Sequence, residues 1–314
     1  MKLAWLFPGQ GAQVVGMGKD FYEESPAARR VFDEADAALR EPLSKLCFDG
    51  PLETLTLTAN TQPAVLAASC AILAALRERC PSLPVPVCAA GHSLGEYSAL
   101  VAAGALTLPA AARMCRLRGK AMQDAVPAGV GAMSAIMGIA GDAVAEVCAQ
   151  ASGDGEIVSP ANFNAPEQTV IAGHASAVGR AGVLARARGA KVIPLRVSAP
   201  FHCTLMAPAR DRVAAGLRDT PLRAPAFPVI ANVDAEPKRD ADAIRQALVQ
   251  QVESPVQWLR SVERMSALGV THALEIGPGK VLAGLVKRID RHMKVLSVDA
   301  AGSIEKAIEF MGLK

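Results

Sequence analysis

Gly91-His92-Ser93-Leu94-Gly95-Glu96 limits what this chain can fold into more than any other stretch. It follows an apolar run at 85–90 and opens a helix-like stretch at 97–103. A strand that passes through a tight glycine turn straight into a helix is the setting of a nucleophile elbow. Glycines at 91 and 95 leave room for a sharp, strained turn. Such a turn lifts Ser93 Oγ out of the sheet. It also aims the first N–H groups of the helix at whatever Ser93 attacks.

The rest of the chain alternates in the same way. Residues 2–7 read as a buried strand ending at Pro8-Gly9-Gln10-Gly11, and helical patterns follow at 26–39, 63–79 and about 109–126. Strands alternating with helices imply a mostly parallel sheet. Ligands collect at the carboxyl ends of such strands, where the Gln10 turn and Ser93 would both sit. The texture changes at Pro127-Ala128-Gly129. A strand (132–137), a helix (142–151), two strands (157–162 and 169–172), a helix (176–188) and a strand (191–197) are expected from there. That βαββαβ order is the ferredoxin-like split motif. The expectation is therefore a large α/β domain, 1–126 and 198–314, with a small domain, 127–197, inserted into it. Strands at 227–231 and 272–276 and a helix at 281–289 complete the large part.

A chain of 314 residues can hold one large domain or two unequal ones. A net charge of +3 is too mild for nucleic acid but suits an acidic partner. The seven cysteines are odd in number and form no CxxC pair, so neither zinc nor a disulfide framework is expected. A reducing, cytoplasmic setting is the simple reading. The first residues break at Pro8-Gly9, unlike a signal peptide, and the longest apolar stretch, 64–76, is short for a bilayer span. No membrane association is expected.

Serine is a weak nucleophile without a base in hydrogen-bond reach. Of the five histidines, His202 follows the end of the small domain in Ser198-Ala199-Pro200-Phe201-His202-Cys203. Pro200 holds its predecessor extended, and a loop returning from an inserted domain can roof a site. His202 is the candidate base, against the alternative of a satisfied core or surface histidine. A base needs a partner on its other nitrogen. No Asp is obviously placed, so a backbone carbonyl would make a dyad. His92 sits on the elbow itself, with its ring expected to point away from Oγ.

Arg118 stands at helical spacing amid Met114, Cys115, Ala121 and Met122, whereas Arg113, Arg116 and Lys120 fall on other faces. A guanidinium on an apolar face must find an anion. Either a structural Asp or Glu meets it, or a substrate carboxylate does, held bidentately. Leu94 N–H follows the nucleophile at the helix start and is the stronger oxyanion donor. Gln10 N–H is either a second donor or ordinary turn chemistry. Gly277-Pro278-Gly279-Lys280 lacks the spacing of a phosphate loop and is read as a packing turn.

Taken in order, these stretches resemble the malonyl-CoA:acyl-carrier-protein transacylase family over essentially the whole chain. The resemblance rests on Phe7-Pro8-Gly9-Gln10-Gly11-Ala12-Gln13, Gly91-His92-Ser93-Leu94-Gly95-Glu96, Arg118-Gly119-Lys120 and Gly131-Ala132-Met133. It continues through Asn162-Phe163-Asn164, Val170-Ile171-Ala172-Gly173, Pro200-Phe201-His202, Pro255-Val256-Gln257-Trp258 and Glu275-Ile276-Gly277-Pro278-Gly279. It implies an α/β-hydrolase-like core with a ferredoxin-like insert. It makes Ser93 the nucleophile and His202 the base, with Gln10 and Leu94 at the oxyanion. Arg118 would clamp the malonyl carboxylate, with further substrate contacts from Asn162, Phe201, His92 and Met122. Gln251, placed in the loop before Pro255-Val256-Gln257-Trp258, would orient His202 through its backbone carbonyl. Phe201 before the base and Leu94 after the nucleophile fit malonyl rather than methylmalonyl.

The implied reaction is ping-pong transfer of malonyl from malonyl-CoA, through a Ser93 ester, to the phosphopantetheine thiol of an acyl carrier protein in fatty acid synthesis. No metal or redox cofactor is called for, and the family is commonly monomeric. An acidic carrier expects a basic rim, for which Arg186, Arg188, Lys191 and Arg196 are candidates beside a plain solvated face. A stand-alone acyltransferase of polyketide synthesis or malonate decarboxylation would use the same residues. A serine hydrolase would need a late histidine, and His292 has no suitable loop setting. A non-catalytic carrier-binding protein would have no use for all three of Ser93, His202 and Arg118.

Overall fold

Runs with no polar alternation, such as Leu3–Phe7, are buried on both faces, which a sheet achieves only between two layers of helices. The computed structural model describes residues 1–197 and 199–313. Ser198, where the return to the large domain is expected, and Lys314 lie outside the described residues. The strands are β1 (Leu3–Phe7), β2 (Cys88–Gly91), β3 (Gly131–Met137), β4 (Val158–Ala165) and β5 (Gln168–His174). They continue with β6 (Lys191–Pro194), β7 (Val229–Ile230), β8 (Pro237–Lys238), β9 (His272–Ile276) and β10 (Lys294–Val298).

The first sheet has the order β10-β9-β1-β2-β7-β8. Its strands are parallel except β8, which returns antiparallel along β7. The second has the order β4-β5-β3-β6 and is antiparallel throughout. The helices Gly141–Ala151 and Ala175–Ala187 close its two βαβ halves, giving the ferredoxin-like arrangement expected. It has its own apolar cluster, which includes Ile136, Val144, Val147, Ile171 and Val178. The antiparallel sheet is tied to the large part of the fold where Phe163 N–H donates to Val256 O and Val256 N–H to Ala161 O, both at 2.9 Å, Val256 lying between the helices Ala241–Gln251 and Trp258–Ala267. That short parallel bridge seats β4, with Asn162, against the parallel-sheet side.

The helix expected over 63–79 runs Thr58–Arg79, so Pro63 lies inside it. Proline cannot donate to the carbonyl four residues back. That carbonyl, Ala59 O, accepts from Arg116 Nη1 at 2.5 Å instead, which lets the helix begin a turn early. By length and composition alone this helix could cross a bilayer, contrary to the estimate from 64–76, but it is packed within the core. Gly277 has φ 148, and a Cβ there would stand 2.5 Å from both Pro8 Cγ and Ser69 Oγ, so the glycine turn at 277–279 serves close packing.

Candidate active site

The elbow forms because only glycine fits on either side of it. A Cβ on Gly91 would lie 1.9 Å from Gly95 C, and one on Gly95 would lie 2.2 Å from Phe7 O. Ser93, between them, holds φ 53, a left-handed conformation that side chains rarely take. Asn232, just beyond β7, staples the turn from outside. Its Oδ1 accepts from Ser93 N–H at 2.7 Å and its Nδ2 donates to Gly91 O at 2.7 Å. The turn thus opens into the helix Gly95–Ala102, as the sequence anticipates.

His202 also sits at positive φ, 60. Its Nε2 is 2.8 Å from Ser93 Oγ, and its Nδ1 is 2.9 Å from Gln251 O. A carbonyl can only accept, so Nδ1 carries the proton and Nε2 is the bare nitrogen facing the serine hydroxyl. Burial, and then the Arg118 charge, push the His202 pKa down to about 3, so the ring rests neutral. Gln251 is the last residue of the helix Ala241–Gln251, not part of a loop as expected. A helix C-terminus leaves carbonyls without intrahelical partners, and this one is spent on the histidine.

Arg118 lies in the helix Leu108–Gln123 and is 1% exposed. Its apolar neighbours Met114, Cys115, Ala121 and Met122 are buried with it, whereas Arg113 and Lys120 are exposed. Nη1 donates to Gln62 Oε1 at 2.7 Å. Nη2 donates to Gln251 Oε1 at 2.8 Å and to Ser93 Oγ at 3.0 Å. The guanidinium also stands 5.9 Å from the Tyr97 ring centre, and Nε is buried without a partner. Among the described residues no carboxylate pairs directly with Arg118; it rests on neutral oxygens. Of the two anions the sequence leaves open, the structural one is not in direct contact with Arg118 among the described residues. A guanidinium held by neutral acceptors in a dry site is set up for an anionic ligand.

These groups line a cavity of about 110 Å³ that also receives Gln10, His92, Leu94, Met122, Asn162 and Phe201. Every expected site residue except Gln251 lines it, and Gln251 stands immediately behind. The N–H groups of Gln10 and Leu94 have no protein acceptor among the described residues, while Gln10 Nε2 donates to Thr58 Oγ1 at 3.2 Å. His92 Nε2 is engaged by Asn164 Oδ1 at 2.9 Å and its ring leans on Trp258. What His92 offers the cavity is therefore mainly its ring. His174 and His272 are spent elsewhere, on Ile157 N–H and against Phe310. Of the suggested basic rim, Arg188 is committed to Glu146 at 2.9 Å, whereas Arg186, Lys191 and Arg196 are exposed.

Sequence reasoning missed Gln62, Glu96, Met133, Leu195, Val197 and Asn232. Glu96 left a signal, as the one charge in the otherwise apolar helix Gly95–Ala102. Asn232 left one too, a polar residue directly past a strand end. The others carry none, since their spacing is that of ordinary core residues.

The family model for the acyl transferase domain matches residues 4–307. The chain is 48% identical over 309 residues to a malonyl CoA-acyl carrier protein transacylase of Bacillus subtilis, covering 98% of this chain and 96% of that one. An acyl carrier protein S-malonyltransferase of Vibrio cholerae superposes with a TM-score of 0.94 at 48% identity, covering 98% of this chain and all of the other. A malonyl-transacylase solved in complex with its holo type II PKS acyl-carrier protein superposes with a TM-score of 0.95 at 46% identity, over 99% and 100% of the two chains. The protein belongs to the acyl transferase domain family, and within it to the malonyl CoA-acyl carrier protein transacylases.

Proposed function

We propose that this protein transfers malonyl from malonyl-CoA to the phosphopantetheine thiol of an acyl carrier protein by way of a malonyl-Ser93 ester. The observation that carries the reading is Arg118, which is buried, touches no carboxylate among the described residues and lies 3.0 Å from the nucleophile. Such an arginine suits an acyl group that bears its own carboxylate.

His202 Nε2 takes the Ser93 proton as Oγ attacks the thioester carbonyl. The oxyanion forms against Gln10 and Leu94 N–H, and His202 returns its proton to the departing CoA thiolate. The carrier thiol then enters, gives its proton to His202 and takes the acyl group. This is ping-pong covalent catalysis. Gln251 O fixes the His202 tautomer throughout. Asn162, Phe201, His92 and Met122 bound the acyl group, and the 110 Å³ cavity suits a three-carbon unit. Segment 127–197 is the small domain that roofs the site, and 1–126 with 198–314 is the large one. Fatty acid synthesis is the setting the sequence resemblance implies, and the carrier complex of the neighbour adds a polyketide carrier as a second candidate acceptor.

The test is to mix the protein with malonyl-CoA, and separately with acetyl-CoA, and weigh it intact and as peptides. A malonyl adduct on the Ser93 peptide, discharged by a holo carrier of either pathway, is the expected result. CoA released steadily into water, with no adduct, would instead mark a hydrolase.

A further inference from the structure

Glu96 is the one buried charge of the site that the transfer chemistry above does not use. It is 2% exposed, in the first turn of the helix Gly95–Ala102. Its Oε2 accepts from Asn232 N–H at 3.0 Å and from Gln251 Nε2 at 2.9 Å. Gln251 then faces three ways. Its Nε2 donates to Glu96 and to Ser93 O, its Oε1 accepts from Arg118 Nη2, and its backbone O accepts from His202 Nδ1. An amide has one donating and one accepting end. A carboxylate at the Nε2 end and a guanidinium at the Oε1 end leave it only one orientation. Glu96 and Arg118 are thus the two ends of one buried relay, with the amide between them in place of a direct ion pair.

We infer that Glu96 is a positioning residue that sets, through Gln251, how strongly Arg118 holds the substrate carboxylate. This rests on the reading of Arg118 as the carboxylate clamp. When Glu96 is ionised, the relay balances Arg118 and the incoming carboxylate meets a pocket of no net charge. When Glu96 is protonated, the full guanidinium charge falls to the substrate. A substrate carboxylate therefore competes with the Glu96 charge for the same arginine, and its binding draws a proton onto Glu96. A neutral acyl group does neither.

The groups that face Glu96 allow this. Arg118 on the helix Leu108–Gln123 favours its charge, and Asp234 in the turn after β7 opposes it. Asp234 is itself paired with Lys238. Asn232, Gln251 and Tyr97 are neutral neighbours. Burial outweighs the rest and lifts the Glu96 pKa to about 7. His202, held well below that, does not titrate in the same range.

Glu96→Gln is the informative change. Both hydrogen bonds fall on one oxygen, which glutamine keeps, so the variant removes the charge and leaves the contacts. Binding of malonyl-CoA and acetyl-CoA is measured by calorimetry in the Ser93→Ala protein, with and without Glu96→Gln, from pH 6 to 8. Above pH 7 the variant should bind malonyl-CoA about tenfold more tightly, the order expected for one unit charge removed in a partly screened interior, with acetyl-CoA unchanged. In the parent, malonyl-CoA affinity relative to acetyl-CoA should fall as pH rises through about 7. In the variant it should be flat. With Glu96 intact, repeating the titration in buffers of different ionisation enthalpy should show proton uptake with malonyl-CoA alone. An unchanged or weakened malonyl affinity in the variant, an equal pH slope in both proteins, or no proton uptake in the parent would overturn the inference. A parent protein that fails to distinguish malonyl-CoA from acetyl-CoA would instead overturn the clamp reading beneath it.

Discussion

On the parallel-sheet side of the cavity, Ser93, Glu96, Arg118, Asn232 and Gln251 are hydrogen-bonded to one another, all almost wholly buried except the half-buried Ser93. On the side of the antiparallel sheet, Met133, Leu195 and Val197 present apolar surface, with Asn162 as the polar exception. The first side is a closed hydrogen-bond circuit, in which removing a member orphans its partners in a dry interior. The second is a wall whose members act by volume. In the proposed reading, transfer chemistry and acyl size belong to separate parts of the chain, joined at the seam between β4 and Val256.

The comparison is broken most directly at the dyad. Ser93→Ala or His202→Ala should lower single-turnover acylation by roughly 10⁴–10⁶-fold, as in other serine nucleophile sites. A comparable loss from any wall residue would show that the two sides are not separate. Next in size, Arg118→Ala should weaken malonyl transfer by about 2–5 kcal/mol, while a neutral acyl donor keeps its rate. Measuring both donors side by side decides it, since equal losses would remove Arg118 from carboxylate recognition. Asn232→Ala should cost about 1–3 kcal/mol, because it strands Ser93 N–H and Gly91 O. Urea midpoints and the acylation burst should fall together, and a burst that survives a lowered midpoint would mean the staple serves folding alone. The smallest effect belongs to the wall. Met133→Ala should change malonyl transfer by less than about tenfold while raising the rate with a longer acyl-CoA, since a methylene in a pocket is worth only about 1–3 kcal/mol.

Much of the fold is legible in the sequence. The expected helices at 26–39 and 281–289 coincide with Pro26–Leu39 and Val281–Ile289, because amphipathic spacing and the flanking proline and glycine mark their ends. The βαββαβ order is legible for the same reason, short alternating runs between clear breaks. The elements that the sequence does not mark lie both early, in the short helices Lys19–Glu24, Leu43–Asp49 and Leu52–Thr56, and late in the chain. The helices Ala207–Arg218 and Trp258–Ala267 and the strand β10 follow no glycine punctuation that sets them apart. The expected strand at 227–231 shrank to two residues because Pro228 cannot donate within it and the chain turns at Asn232. The start of the helix Thr58–Arg79 was misjudged because Arg116, a residue far along the chain, takes the carbonyl that Pro63 leaves free.

The sequence by itself determined the elbow and the isolation of Arg118 on an apolar face, and it made His202, after the small domain, the candidate base. Each is a local matter of glycine, spacing or a loop. It left open whether Arg118 meets a carboxylate of the protein or of a ligand, and it attached Gln251 to His202 only by resemblance. Tertiary structure shows that no protein carboxylate touches Arg118 among the described residues and that Gln251 O accepts from His202, because the partners of a buried group come from elements that touch only when folded. Gln62 and Gln251 approach Arg118 from 56 and 133 residues away in the chain. Glu96 reaches the same Gln251 across 155. No periodicity spans such distances, so the charge balance of the pocket exists only in the folded molecule.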